Sequence, residues 1–468
     1  MKINILLFAI LLSVLTLNSC KDYLEVSPKS SISEEALFDS EVGFEQALVG
    51  IYAKLSAANL YGDKLSLGFV SALAQNYNMT SVGAPYTQTT AYNYAADECK
   101  THISNIWSSS YNAIAGLNKI LKQVELKKSI LSPASYAMIK GEALALRSYL
   151  HFDLLRLFGP HPQKGANLKA IPFEENADNF VNSPLTTSEV LNNILRDLEL
   201  SASLMKNYEP AYTEDRQIKL NYYAVKGLDA RVSLYSGDKA RAAAAAKIVV
   251  ESKQFPFVNI STVAAVAGSK NRLFKSELVF ALRSRNMQTW TDSYFRYKLN
   301  TAWSLRRPDA EINTLYENSS TDIRRVYLFE EEQNTLYTSK FWQTYTLSSG
   351  ESQTSTGRMD QLVPMIRISE MYYILAETAA TVEEGIKYIN LVRSARAITT
   401  LPTTNIASSF LENEIKKEYQ KEFYAEGQLF FYYKRMLTER IQFLTPVMNF
   451  NNYVLPIPET ELEYNPNY

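Results

Sequence analysis

Aromatic, amide and guanidinium side chains are concentrated in two stretches that lack a sustained helical period. Residues 59–98 carry Asn76, Tyr77, Tyr86 and Tyr92, and residues 255–360 carry Trp290, Trp303, Arg306, Trp342 and Tyr345. Three of the four tryptophans lie in the second stretch. A flat ring offers an apolar face, and Asn or Arg beside it offers donors and acceptors. Such a set suits an open surface for a ligand with flat faces and a polar rim. The competing reading of each residue is local packing that pins a long loop. Irregular segments this long are uncommon inside a compact chain and are often functional. The ligand is therefore expected where residues 59–98 meet residues 285–345, on loops held by a rigid scaffold. Trp303 is the favoured anchor, because Arg306 stands three residues on as a hydrogen-bonding rim.

Other chemistry is poorly supplied. His102, His151 and His161 are not spaced as a metal pair, and Cys99 and His102 have no further ligands nearby in sequence. The chain has neither a glycine-rich phosphate loop nor a G-x-S-x-G elbow. No cofactor, metal or catalytic residue is expected. Acid–base hydrolysis needs two carboxyl groups at a set separation across a bond, which sequence alone does not show. Glu142, Arg147, Asp153, Arg156, Glu370, Glu377, Arg393, Arg396, Glu422 and Glu426 lie on predicted helices with a core face. Ion pairing or capping is the expected role of each.

The elements that must position the two stretches read as paired helices. Ser132-Pro133 opens one, with apolar residues at Ala143, Leu146, Leu150, Leu154 and Leu157, and Gly159-Pro160 stops it. Thr186 with Glu189 is a capping box, and Leu191, Ile194, Leu195, Leu198 and Ala202 form the stripe behind it. A helix over about 221–235 breaks at Gly237-Asp238 and restarts at Ala240, so the two must pack antiparallel. Further helices are predicted at 41–57, 101–125, 365–380, 383–396 and 411–436. Leu278-Val279-Phe280-Ala281 reads as a short strand. The fold class is mainly α, with tetratricopeptide-like helical pairs and a loop-rich irregular lobe, although no clean 34-residue repeat is present.

The N-terminus sets the expected compartment. Lys2 precedes a nearly apolar run, Ile3 to Leu17, too short to span a bilayer comfortably. It ends in Leu17-Asn18-Ser19-Cys20, which resembles a bacterial lipobox with Cys20 as the lipidated residue. Residues 1–19 then form a signal peptide and 20–468 a single domain, divided into a helical part at 20–254, an irregular ligand lobe at 255–360 and a helical part at 361–468. Lys21-Asp22 resembles a surface-export signal; the bland alternative is a solvated tether. Cys99 is left without a disulfide partner once Cys20 is lipidated, and an inert buried thiol is expected. Stability must come from a hydrophobic core, for which 468 residues at 46% hydrophobic suffice. The net charge of −1 argues against nucleic acid as a partner.

In a series of blocks spread along its length from residue 20 onward, the chain resembles the SusD/RagB family of outer-membrane nutrient-uptake lipoproteins. The resemblance starts at Cys20-Lys21-Asp22-Tyr23-Leu24 and continues through Ile106-Trp107 to Leu121. Its most typical block runs from Gly141-Glu142-Ala143 through Arg147-Ser148-Tyr149 to Leu157-Phe158-Gly159. Ala230-Arg231-Val232, Ile366-Arg367 to Glu377, Ile389 to Arg393, and Lys421-Glu422-Phe423-Tyr424-Ala425-Glu426-Gly427 follow in order, and Leu455-Pro456-Ile457-Pro458-Glu459 ends it. Tyr419 and Tyr432 depart from the pattern, standing where arginine and aspartate are usual. The resemblance implies a lipid-anchored outer-membrane protein, facing the exterior, that binds an oligosaccharide or a peptide and hands it to a TonB-dependent transporter. A sugar ring has an apolar C–H face and a polar rim, which matches the aromatic stretches. A helical-repeat protein-interaction scaffold and a glycoside hydrolase are the alternatives.

Overall fold

The computed structural model describes residues 34–177, 182–208, 214–265, 270–295, 302–332, 334–342 and 361–468. Its principal helices, in chain order, are Glu41–Leu55 (α1), Asp97–Leu126 (α2), Pro133–Phe158 (α3), Thr187–Met205 (α4), Tyr222–Ser236 (α5) and Lys239–Glu251 (α6). Met287–Tyr294 (α7), Ile368–Thr378 (α8), Val382–Ala395 (α9), Ser408–Glu422 (α10) and Leu429–Arg435 (α11) follow. Three antiparallel two-stranded ladders accompany them. Lys169–Ile171 (β1) pairs with Leu185–Thr186 (β2), Leu278–Arg283 (β3) with Leu362–Arg367 (β6), and Phe329–Glu332 (β4) with Thr335–Thr338 (β5).

Local chemistry sets most of these boundaries. The Ser132 hydroxyl accepts from the Ser135 amide and Pro133 fills the first turn of α3. Thr186 and Glu189 close the capping box of α4. The Asn221 side chain accepts from the Ala224 amide to start α5, and Asp238 does the same for α6. α3 and α4, α5 and α6, and α8 and α9 pack as neighbouring pairs. The α3–α4 approach is close: Ser201 donates to the Gly141 carbonyl at 2.6 Å, and a Cβ on Gly141 would meet Met205 Cγ at 2.5 Å.

Two predicted helices differ. The helix expected over 365–380 begins only at Ile368, because 362–367 pairs with β3, placing Phe280 opposite Ile366 and Leu282 opposite Val363. The helix expected over 411–436 divides into α10 and α11. Between them Ala425 and Gly427 take positive φ, +60° and +74°. A Cβ on Gly427 would collide with the Leu65 carbonyl, so the chain turns where it meets the first irregular stretch.

The helical charges are spent on one another. Arg147 pairs with Asp197 at 2.5 Å, Arg231 with Glu370 at 2.6 Å, Arg435 with Glu377 at 2.8 Å and Arg156 with Asp153. Glu142 accepts from the Tyr52 hydroxyl. The densest network centres on α10. There Glu418 meets Arg324 at 2.9 Å and Arg393 at 3.0 Å, while Glu422 meets Arg396 at 2.6 Å and also Arg367. Burial alone would raise the Glu418 carboxyl, but Arg324, Lys421 and Arg393 outweigh it and bring it down to about 2. Glu422 is likewise held well below the usual range, by Arg396 and Arg367 against the effect of burial. Through Arg324 and Glu277 the network ties the irregular lobe to the helical scaffold.

Candidate ligand-binding face

The two irregular stretches meet through backbone and buried polar bonds. The Asn78 amide donates to the Arg306 carbonyl at 2.9 Å, and Arg307 Nε donates to the Gln75 carbonyl at 2.8 Å. Asp63, fully buried, lies at the centre of the junction. It accepts from the Tyr86 hydroxyl at 3.0 Å, the Tyr294 hydroxyl at 3.2 Å and the Lys64 ammonium at 2.5 Å. One carboxylate thus fixes a tyrosine from each stretch.

Above this junction lies a concave cleft of about 480 Å3, lined by Lys64, residues 82–88, Glu98, His102 and Tyr294. Trp290 stacks on Tyr294, with ring centroids 6.2 Å apart and planes at 16°. One turn of α7 separates these two residues, so helical spacing aligns the rings. Trp303 stands at the rim, 45% exposed, with Cζ2 3.8 Å from the Cβ position of Gly83. Val82 beside it is 97% exposed. Stacked and exposed rings around a cleft with polar walls match a ligand with apolar faces and a hydroxylated rim.

The polar walls have defined states. Glu98 accepts from the Thr89 hydroxyl at 2.9 Å and from the Thr89 amide at 3.3 Å. The His102 ring packs against Tyr86 and Phe69. Burial, followed by the Lys64 charge, lowers His102 to about 4, so it faces the cleft as a neutral imidazole at neutral pH. Glu98 and His102 are four apart on α2 and therefore share a face.

The expected site residues divide. Tyr86 lines the cleft, although its ring is almost fully buried and its hydroxyl is spent on Asp63, while Trp290 and Trp303 adjoin the cleft through Tyr294 and Gly83. Asn76 and Tyr77 are buried: Asn76 accepts from the Ala425 amide at 3.0 Å, and the Tyr77 hydroxyl donates to the Leu67 carbonyl at 2.5 Å. Trp342 is only 5% exposed. Closed in by protein, these three side chains present no face to a ligand. Tyr92 is half-buried and donates to the Leu73 carbonyl at 2.7 Å. Arg306 pairs with Asp309 at 2.5 Å and reaches the Leu336 carbonyl at 3.3 Å, so its guanidinium is engaged away from a rim role. Tyr345 and Cys20 lie outside the described residues. Lys64, Asp63, Glu98 and Tyr294 were not singled out by sequence, and His102 was weighed only as a metal ligand. The Trp290–Tyr294 and Glu98–His102 spacings were the available signals.

Trp107, on α2, is buried and packs edge-on against Phe158 at 4.8 Å. Cys99 is fully buried, and burial pushes its thiol up to about 11. Among the described residues, no helix is long and apolar enough to cross a membrane.

Comparison with known proteins adds the family. Residues 22–234 match a family model described as starch-binding associating with outer membrane, and residues 284–443 match the SusD family model. A SusD-like protein P2 from Formosa agariphila is 23% identical, over 97% of this chain and 96% of that protein. The fold matches a SusD superfamily protein from Bacteroides thetaiotaomicron with a TM-score of 0.70 at 22% identity, covering 92% of this chain and 98% of that one. It also matches a SusD-like carbohydrate binding protein from Bacteroides vulgatus with a TM-score of 0.73 at 17% identity, covering 92% and 97%.

Proposed function

Because this chain belongs to the SusD family, whose members are carbohydrate-binding proteins associated with the outer membrane, we propose that it captures a nutrient glycan. In this reading the chain is anchored through lipidated Cys20, faces the exterior and passes its ligand to a TonB-dependent outer-membrane transporter. The observation that carries the reading is the aromatic face: Trp303 exposed at the rim and Trp290 stacked on Tyr294 beside the cleft. Oligosaccharide is favoured over peptide because stacked rings with a neutral imidazole suit C–H faces and hydroxyls.

Binding without hydrolysis is supported by the state of the acidic groups. Asp63 is surrounded by three donors and Glu98 is held by Thr89, so neither is poised as a general acid. The test is electrophoresis through gels containing starch, laminarin, xylan or pectin, alongside a reducing-end assay on the same glycans and a peptide array. Retarded migration in at least one glycan without new reducing ends is expected. Release of reducing ends would establish a hydrolase, and binding confined to the peptide array would overturn the glycan assignment.

A further inference from the structure

Among the described residues, Glu98 is the one carboxylate in the lining of the aromatic cleft, and it is half-buried there. Its two oxygens are unevenly used. Oε1 accepts from the Thr89 hydroxyl at 2.9 Å and from the Thr89 amide at 3.3 Å, whereas Oε2 accepts only from the Gln88 amide, at 3.4 Å. A carboxylate has about four acceptor positions, so Oε2 keeps a lone pair for a further donor. No lysine or arginine pairs with Glu98 among the described residues. Lys64 is the only such cation in the lining, and its ammonium is committed to Asp63 at 2.5 Å and to the Tyr86 hydroxyl at 3.0 Å.

The cleft wall is also held by bonds that bypass Glu98. The Thr87 hydroxyl reaches the Ala84 carbonyl at 2.8 Å, the Thr90 hydroxyl reaches the Thr87 carbonyl at 3.0 Å, and Tyr86 is fixed on Asp63. Gln88 and Thr89 therefore orient a carboxylate that the wall has other means to do without. A sugar hydroxyl donating to a carboxylate makes a charge-assisted bond, roughly twice as strong as one to a neutral acceptor. A sugar that itself carries a carboxylate meets the opposite effect. Like charges a few ångströms apart repel, and a partly enclosed cleft screens them less than open water does.

We propose that Glu98 contacts the ligand and sets its class: Oε2 accepts a sugar hydroxyl, and the charge turns away sugars that bear carboxylates, so the cleft takes neutral glycans. This assignment rests on glycan capture at the aromatic cleft and narrows its ligand. The test uses the full chain in detergent and the glycan that retards the wild type most, prepared as two sparsely substituted ethers, carboxymethyl and carbamoylmethyl. The two substituents are nearly isosteric and differ in charge. At neutral pH and low salt the wild type should bind the carbamoylmethyl ether roughly tenfold more tightly, and sodium chloride should narrow the gap. Glu98→Gln should weaken binding of the unmodified glycan about fivefold and reduce the gap to about twofold. Thr89→Val, at a buried position, removes a Glu98 partner but keeps the charge, and should keep the gap. A residue that only braced the wall would lower affinity for both ethers alike and leave their ratio unchanged. Equal binding of the two ethers by the wild type, a gap that persists in Glu98→Gln, or one lost equally in Thr89→Val would overturn this selection and leave glycan capture standing. A wild type that binds no glycan would remove capture itself, and the selection with it.

Discussion

Trp303 and Trp342 are the same residue type in the same irregular lobe, one 45% and the other 5% exposed. Truncating them should separate binding from stability. Trp303→Ala should cost about 1–3 kcal/mol of glycan affinity, by analogy with base–aromatic stacking, and leave the melting temperature unchanged. Trp342→Ala should cost about 3–5 kcal/mol of stability, the usual range for an aromatic residue removed from a core. Calorimetric unfolding beside a binding titration distinguishes the two. Sequence placed both tryptophans in the lobe but did not tell them apart, because exposure there is decided by contacts distant in the chain. Tyr77 shows the same limit: its burial depends on Leu67, Phe295 and Tyr424, from three separate segments. His102 was missed for another reason. It was weighed as a metal ligand, whereas its place four residues after Glu98 on α2 makes it a cleft wall.

At the scale of elements, α10 carries the strongest pH dependence. The folded-state carboxyls of Glu418 and Glu422 lie below the ordinary unfolded value of about 4.3. Depressed carboxyls add stability that is fully present above the unfolded value. That contribution should be lost as pH falls from about 4.3 toward the Glu418 value of about 2. Thermal melts across that window should show the fall, and a flat profile would contradict the network. Glu422→Gln should destabilise by about 3–5 kcal/mol at neutral pH, because it leaves Arg396 and Arg367 facing an uncharged amide. Thr186→Ala, which opens the α4 capping box, should cost about 1 kcal/mol. Helices with a capping residue were legible: α3 and α5, each followed by a glycine, lie within a residue or two of their expected bounds, and α4 and α6 start within a residue of theirs. The start of α8 and the break after α10 were not. Both are set by partners far away in sequence, β3 in one case and the Leu65 carbonyl in the other.

For the whole molecule, the helical scaffold presents one aromatic face, and the N-terminal segment is proposed to carry the anchor. Cys20→Ala should release the chain from the outer membrane into the soluble fraction, and fatty-acid labelling of the wild type should mark the same residue. An unlabelled wild type would remove the anchor from this reading. A TonB-dependent transporter should co-purify after mild solubilisation; isolation of the native protein as a lone species would count against delivery. The most direct measurement of glycan capture is isothermal titration of wild type, Trp303→Ala and Tyr294→Ala with the glycan that retards the wild type most. Tight binding by the wild type is predicted, with affinity lost roughly 5- to 150-fold in Trp303→Ala, as 1–3 kcal/mol implies. Wild-type affinity in both variants, with melting temperatures unchanged, would place the ligand elsewhere and contradict the assignment of this face.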